Sequence, residues 1–118
     1  MSLKSIRQFV ADNPLRVEKV ELEGLTLYVR EMDSEGMSAF MEVNSNREGD
    51  SFSTDHAAMV IAIHLCDENG VLDAKPAERV NVAGELQALR FNQLTELFTA
   101  SLSVSGLTGD EVEEAEGN

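Results

Sequence analysis

DHAAMVIAIHLCDENG, spanning Asp55 to Gly70, is the stretch on which the fold turns. From Ala57 to Cys66 every residue is apolar or small except His64. A helix on a protein surface has one apolar and one polar face, whereas this segment is apolar nearly all round. It is also too short to span a bilayer, which takes about 20 apolar residues. The pattern therefore predicts a buried central helix. Thr54 or Asp55 is placed to cap its start, because either side chain can accept from the free N–H groups there. Asp67-Glu68-Asn69-Gly70 predicts the stop, with Gly70 able to take a turn conformation that other residues resist. Val60, Ile61 and Ile63 are β-branched and leave a strand over Met59 to Leu65 as the alternative. Ala57, Ala58 and Ala62, together with the length, favour the helix.

A chain of 118 residues predicts one domain. Residues 1–107 read as a single globular domain with an N-terminal helix or arm, and 108–118 as a short capped turn with an acidic, frayed end. A chain of this size buries roughly two-thirds of its unfolded surface, so a core is feasible. With no Trp and one Tyr, that core must rest on Leu, Val, Ile, Met and Phe. The formal net charge of −13 argues against nucleic acid, whose phosphates are bound by Lys and Arg, and against anionic membranes. It favours solubility and a protein partner. Cys66 is the only cysteine, so no internal disulfide can form. MSLKSIRQFVADNP has no unbroken apolar run and no small-residue cleavage site, which predicts no secretory signal and a cytoplasmic protein.

Taken in order, Leu3, Ile6, Phe9 and Val10 recur at helical spacing, Ser2 can cap them, and Asn13-Pro14 stops the run. Two readings follow: a helix packed on its own domain, or an arm that docks on another copy of the chain. RVEKVELEGLTLYVREM then predicts a β-hairpin turning at Glu23-Gly24, with Val17, Val20 and Leu22 on one strand and Leu25, Leu27 and Val29 alternating on the other. Its outward side is expected to carry Glu18, Glu21, Glu23, Tyr28 and Arg30. A lone hairpin is marginal, so it must pack on helices or pair with a neighbour. Asp33 or Ser34 caps a second helix whose Met37, Phe40 and Met41 form a stripe, either core or an adaptable apolar surface. Gly36 should weaken that helix by up to about 1 kcal/mol. NSNREGDSFS reads as a loop with Phe52 as its anchor. Pro76 can open one short helix within Ala77 to Leu89. Leu94, Leu97, Phe98 and Leu102 define an amphipathic helix from Phe91 to Val104, closed by Gly106 and Leu107. Thr108 and Glu111 can form a capping box for one further turn. The fold class is α+β, mainly helical, with an N-terminal hairpin.

Residues that could carry chemistry do not converge. His56 and His64 lie eight residues apart, about 80° around a helix and roughly 12 Å along it, so they cannot chelate one ion unaided. His64 and Cys66 are two apart and would face away from each other on a helix, which removes a Cys–His nucleophile pair. Setting Gly70 as the sixth position of a calcium loop puts Leu65 first and Pro76 twelfth, where acids are needed. No phosphate-binding glycine loop and no basic-aromatic patch is present. The expectation is no catalytic residue, no metal and no cofactor: not an enzyme.

Three stretches in fixed order carry a resemblance: LYVREM in the hairpin, HLCDENG after the apolar helix, and LTELFTASLSVSGLTGDEVEEAEGN at the end. Cys66, Asp67, Glu68 and Gly70, then Leu97, Phe98, Ala100, Gly106 and Leu107, then Glu113, Glu114, Glu116 and Asn118 are its matching positions. In these the chain resembles the small tail assembly chaperones of long-tailed bacteriophages. The serine-rich final helix (Ser101, Ser103, Ser105) and the irregular segment from Asn81 to Leu89 depart from that pattern. The resemblance implies a homo-oligomeric assembly factor in the host cytoplasm, absent from the mature virion. It would hold the tape measure protein soluble during tail morphogenesis. A longer frameshifted product, joined through the acidic end, would recruit tail tube protein. Client-binding candidates are Tyr28, Met37, Phe40 and Met41. Self-association candidates are Leu3, Ile6, Phe9 and Val10 on the first helix and Leu25 and Leu27 on the hairpin. The competing expectation is a structural virion component, a tail tube or head–tail joining protein, which would be richer in strands. A small acidic mimic of nucleic acid ranks below both, because the acids are spread through loops and the end of the chain.

Overall fold

A computed structural model describes residues 2–46 and 53–107. The chain runs α1 (Leu3–Asp12), β1 (Val17–Leu22), β2 (Leu25–Arg30), α2 (Ser34–Ser45), α3 (Thr54–His64), β3 (Leu65–Cys66), α4 (Pro76–Val80), a 3-10 helix (Ala83–Ala88) and α5 (Phe91–Val104). About 58% of the described residues are helical, and the strands form one antiparallel sheet, so the fold is α+β. The sheet order is β1-β2-β3. Val20 pairs with Leu27 and Leu22 with Leu25 across the hairpin, and β3 adds Leu65 opposite Val29 and Cys66 opposite Tyr28.

The central helix is where the apolar stretch predicts it, and its all-round apolarity has a geometric reason. On one side Ala57, Ala58, Ile61 and Ala62 pack with Val20, Leu22 and Val29 of the sheet and Leu94 and Leu97 of α5. On the other side Val60 and Ile63 pack with Ala39, Phe40 and Val43 of α2 and Leu102 of α5. A helix with core on both flanks has no face left to be polar. Its limits differ from the sequence expectation. Ser53, rather than Thr54 or Asp55, is the cap, with its Oγ accepting from the His56 N–H at 3.4 Å. Thr54 and Asp55 instead hold the Gln87 side chain of the 3-10 helix. The helix ends at His64, not Cys66, because Leu65 swings to ψ 133° and joins the sheet edge. Gly70 does take a left-handed φ of 78°, and the Asp67 carboxylate accepts from the Asn69 and Val71 N–H groups to close the turn.

Other elements follow the sequence with local corrections. Gly24 occupies the hairpin turn at φ 78°. Glu18 lies on the same sheet face as Val20 and Leu22 by strand parity, not on the outward face, and reaches solvent from the strand's beginning. Asp33 caps α2, its carboxylate accepting from the Gly36 N–H at 2.9 Å. Gly36 has a positive reason as well as its helical cost: a Cβ there would sit 3.2 Å from the Met32 Cβ. The segment expected to hold one helix within Ala77 to Leu89 holds two, α4 and the 3-10 helix, with a turn at Asn81-Val82 between them. α5 has the expected bounds. At its end the Gly106 N–H donates to Ser103 O and the Leu107 N–H to Leu102 O, the paired bonds that close a helix on a left-handed glycine. The Phe52 anchor, the Thr108–Glu111 capping box and the acidic end lie outside the described residues.

Candidate functional site

Among the described residues eleven large apolar side chains stay exposed: four lie on α1, two on α2, and Val17, Leu25, Val71, Val82 and Phe91 are scattered over other elements. α1 is a regular helix, capped by Ser2 Oγ accepting from the Ser5 N–H, yet none of its residues is buried. Leu3, Ile6, Phe9 and Val10 are 71%, 44%, 67% and 61% exposed. Of the two readings open from sequence, packing on its own domain is therefore the one that fails. On α2 the expected stripe divides. Phe40 turns into the core with Ala39 and Val43, whereas Met37 and Met41, one helical turn apart, stay 40% and 63% exposed. Phe40 is thus no part of the exposed face. Tyr28 is half-buried on the other side of the sheet, beside Cys66. On the hairpin Leu25 is exposed near the turn, and Leu27 is half-buried against the core. Glu23, in that turn, reaches the Arg90 guanidinium at 3.0 Å, which ties the hairpin tip to the start of α5.

The residues weighed for chemistry have structural partners instead. His64 is fully buried. Its Nδ1–H donates to the Val60 carbonyl at 2.8 Å, so Nε2 is the acceptor for the Ser105 O–H, with Nε2 and Oγ 2.9 Å apart. Ser105 Oγ in turn accepts from the Met32 N–H at 3.2 Å. This chain of bonds ties α3, the end of α5 and the β2–α2 link together. Burial lowers the His64 pKa, with the Val60 bond opposing, so the imidazole is held neutral. His56 bonds Asn44 Oδ1 at 2.6 Å and meets the Phe98 ring edge-on. Burial pushes the Cys66 thiol up despite the nearby Arg30 and Arg79, the opposite of the shift that activates a nucleophile. Among the described residues no group of three or more His, Cys, Asp or Glu could hold a metal ion.

Sequence reasoning places Arg30 on the outward side of the hairpin and misses the clamp that it forms with Arg79. Arg30 donates to the Gly70 carbonyl at 3.1 Å and to Asp33 at 3.2 Å; Arg79 donates to the Leu65 carbonyl and pairs with Asp73 at 3.1 Å. Together they clamp the turn after β3 onto the sheet. No sequence spacing signals this, because two of the four partners are backbone carbonyls and the fold brings all of them near. An open cleft of about 660 Å³ lies between α2, α3 and α4, lined by Val43, Asn46, Ser53, His56, Met59 and Val80 among others.

No family profile, curated protein or solved structure matches the chain. Among the described residues no helix is long and apolar enough to cross a membrane. The site is therefore read from its surface alone: adaptable methionines and an unburied amphipathic helix on a body of strong negative charge.

Proposed function

We propose that this chain is a phage tail assembly chaperone, which binds the tape measure protein and keeps it soluble in the host cytoplasm while the tail is built. The observation that carries this is the combination of a completed core with unburied apolar stripes on α1 and α2. A holdase for an apolar helical client needs exposed hydrophobes that adapt to varied partners, and methionine supplies that adaptability. It also needs charge enough to keep the complex in solution, and −13 on 118 residues supplies it. Met37 and Met41 are the client-facing residues in this reading, with Tyr28 outside that face. α1 and the hairpin edge at Leu25 serve self-association. A longer frameshifted product would bring tail tube protein to the complex, and the chaperone would leave before the virion is complete. The helical content supports this reading over a strand-rich virion component.

The test is co-expression with a long, helix-rich tape measure candidate, followed by size-exclusion chromatography with light scattering. The expected result is a client that is soluble only with this protein and co-elutes with many copies of it. A client that stays insoluble while this protein elutes alone would end the proposal.

A further inference from the structure

We infer that α1 of one copy packs antiparallel along the Met37–Met41 face of α2 in a second copy. Both surfaces are helical stripes that their own chain leaves uncovered. Their charged flanks match. On α1, Arg7 borders the apolar stripe and Lys4 lies beyond it on the same flank, while Asp12 is on the far side. On α2, Glu42 and Glu35 lie on the corresponding flank of the methionine stripe. When two helices pack antiparallel, corresponding flanks face each other, so Arg7 of α1 comes to the side of α2 that carries Glu42 and Glu35. A parallel arrangement would turn Arg7 toward the flank of Asn44 and the buried Phe40, where the acid is the N-cap Asp33, already engaged by the Gly36 N–H and Arg30. The charge of the whole chain points the same way. Of its 9 basic and 22 acidic residues, α1 holds Lys4, Arg7 and Asp12, which leaves 7 basic and 21 acidic residues on the rest. Among the described residues α1 is the one helix of net positive charge, on a strongly anionic chain.

The partner is a second copy because the arm's exit is pinned. The Glu31 N–H donates to the Arg16 carbonyl at 2.8 Å, and the Arg16 N–H donates to the Glu31 carboxylate at 3.1 Å. The Arg16 guanidinium lies 3.7 Å from the same carboxylate. Only Asn13, Pro14 and Leu15 then separate the last residue of α1 from that anchor. Pro14 fixes its own φ, and the Asn13 side chain donates to the Phe9 carbonyl at 2.8 Å, closing the helix end. With this link, α1 buries none of its residues against its own chain. Around a two-fold axis each copy both gives and receives an arm, so the contact is made twice. The inference goes beyond the chaperone reading and stands or falls without it. Under that reading a client would reach Met37 and Met41 only where an arm has left them.

Light scattering of the full chain across a dilution series tests it, with no client present. The wild type is expected to self-associate. Ile6→Asp with Phe9→Asp, and separately Met41→Asp, should each weaken association by about tenfold or more. These positions are exposed in the single chain, so far-UV circular dichroism, and the melting temperature at dilutions where the wild type is monomeric, should not change. Arg7→Glu should weaken association a few-fold, and adding Glu42→Arg to the same chain should restore it. A wild type that is monomeric throughout, or an oligomer that survives the arm variant, overturns the inference. An oligomer that survives Met41→Asp overturns it too, since the arm then docks elsewhere. Failure of Glu42→Arg to rescue overturns the antiparallel pairing.

Discussion

α3 and α1 are both short helices rich in apolar residues, and the fold treats them in opposite ways. In α3 eight of eleven residues are buried and the core lies on two sides. In α1 no residue is buried, although Leu3, Ile6, Phe9 and Val10 form a regular stripe. Apolar residues in α3 are consumed by folding; in α1 they remain for a partner. The contrast separates what stabilises this domain from what it offers to others. α2 combines both, with Phe40 inside and Met37 and Met41 outside.

Substitutions can break or sharpen that contrast. The largest loss is expected at α3 or its direct packing partner. Ile61→Ala or Leu97→Ala removes a fully buried side chain and should cost about 3 kcal/mol in urea unfolding, within the range for such cavities. Next comes Ser105→Ala, which strands both His64 Nε2 and the Met32 N–H and should cost about 2 kcal/mol. The same network gives a pH signature. The His64 pKa is lowered in the folded chain from an ordinary value of 6.5, so the unfolded chain binds the proton first. This part of the stability is complete above about pH 6.5 and is lost as pH falls toward the lowered value. His64→Gln should remove that component in unfolding curves measured at successive pH values.

Gly70→Ala is expected to cost about 1–2 kcal/mol, since φ is 78° there and a Cβ would sit 2.9 Å from Val17 Cγ2. The smallest change is expected at the other end of the comparison. At dilutions where the chain is monomeric, Phe9→Ala should alter thermal or urea stability by no more than about 0.5 kcal/mol, because α1 carries none of the core. A loss at Phe9 comparable with that at Ile61 would mean that α1 packs on its own domain after all.

Much of this arrangement was legible in the residues. The all-round apolarity of Ala57 to Ile63 marks a helix with core on both sides, and periodicity with Gly106 fixes α5 and its end. The hairpin turn at Glu23-Gly24 follows from alternation. The switch from helix to strand at Leu65 was not legible, because Leu65 and Cys66 fit either state and the sheet edge beside β2 decides. Likewise, a stripe of Met37, Phe40 and Met41 does not say which member turns inward. That depends on where α3 and α5 lie, and they take Phe40. The Arg30 and Arg79 clamp depends on backbone carbonyls and has no pattern in sequence.

The most direct measurement sets wild type against Met41→Asp in co-expression with the tape measure candidate, with the melting temperature of each recorded. The expected result is soluble client with the wild type, insoluble client with the variant, and the same melting temperature for both at dilutions where the wild type is monomeric. Client that is equally soluble with both proteins, or insoluble with both, would contradict a client-binding face on α2.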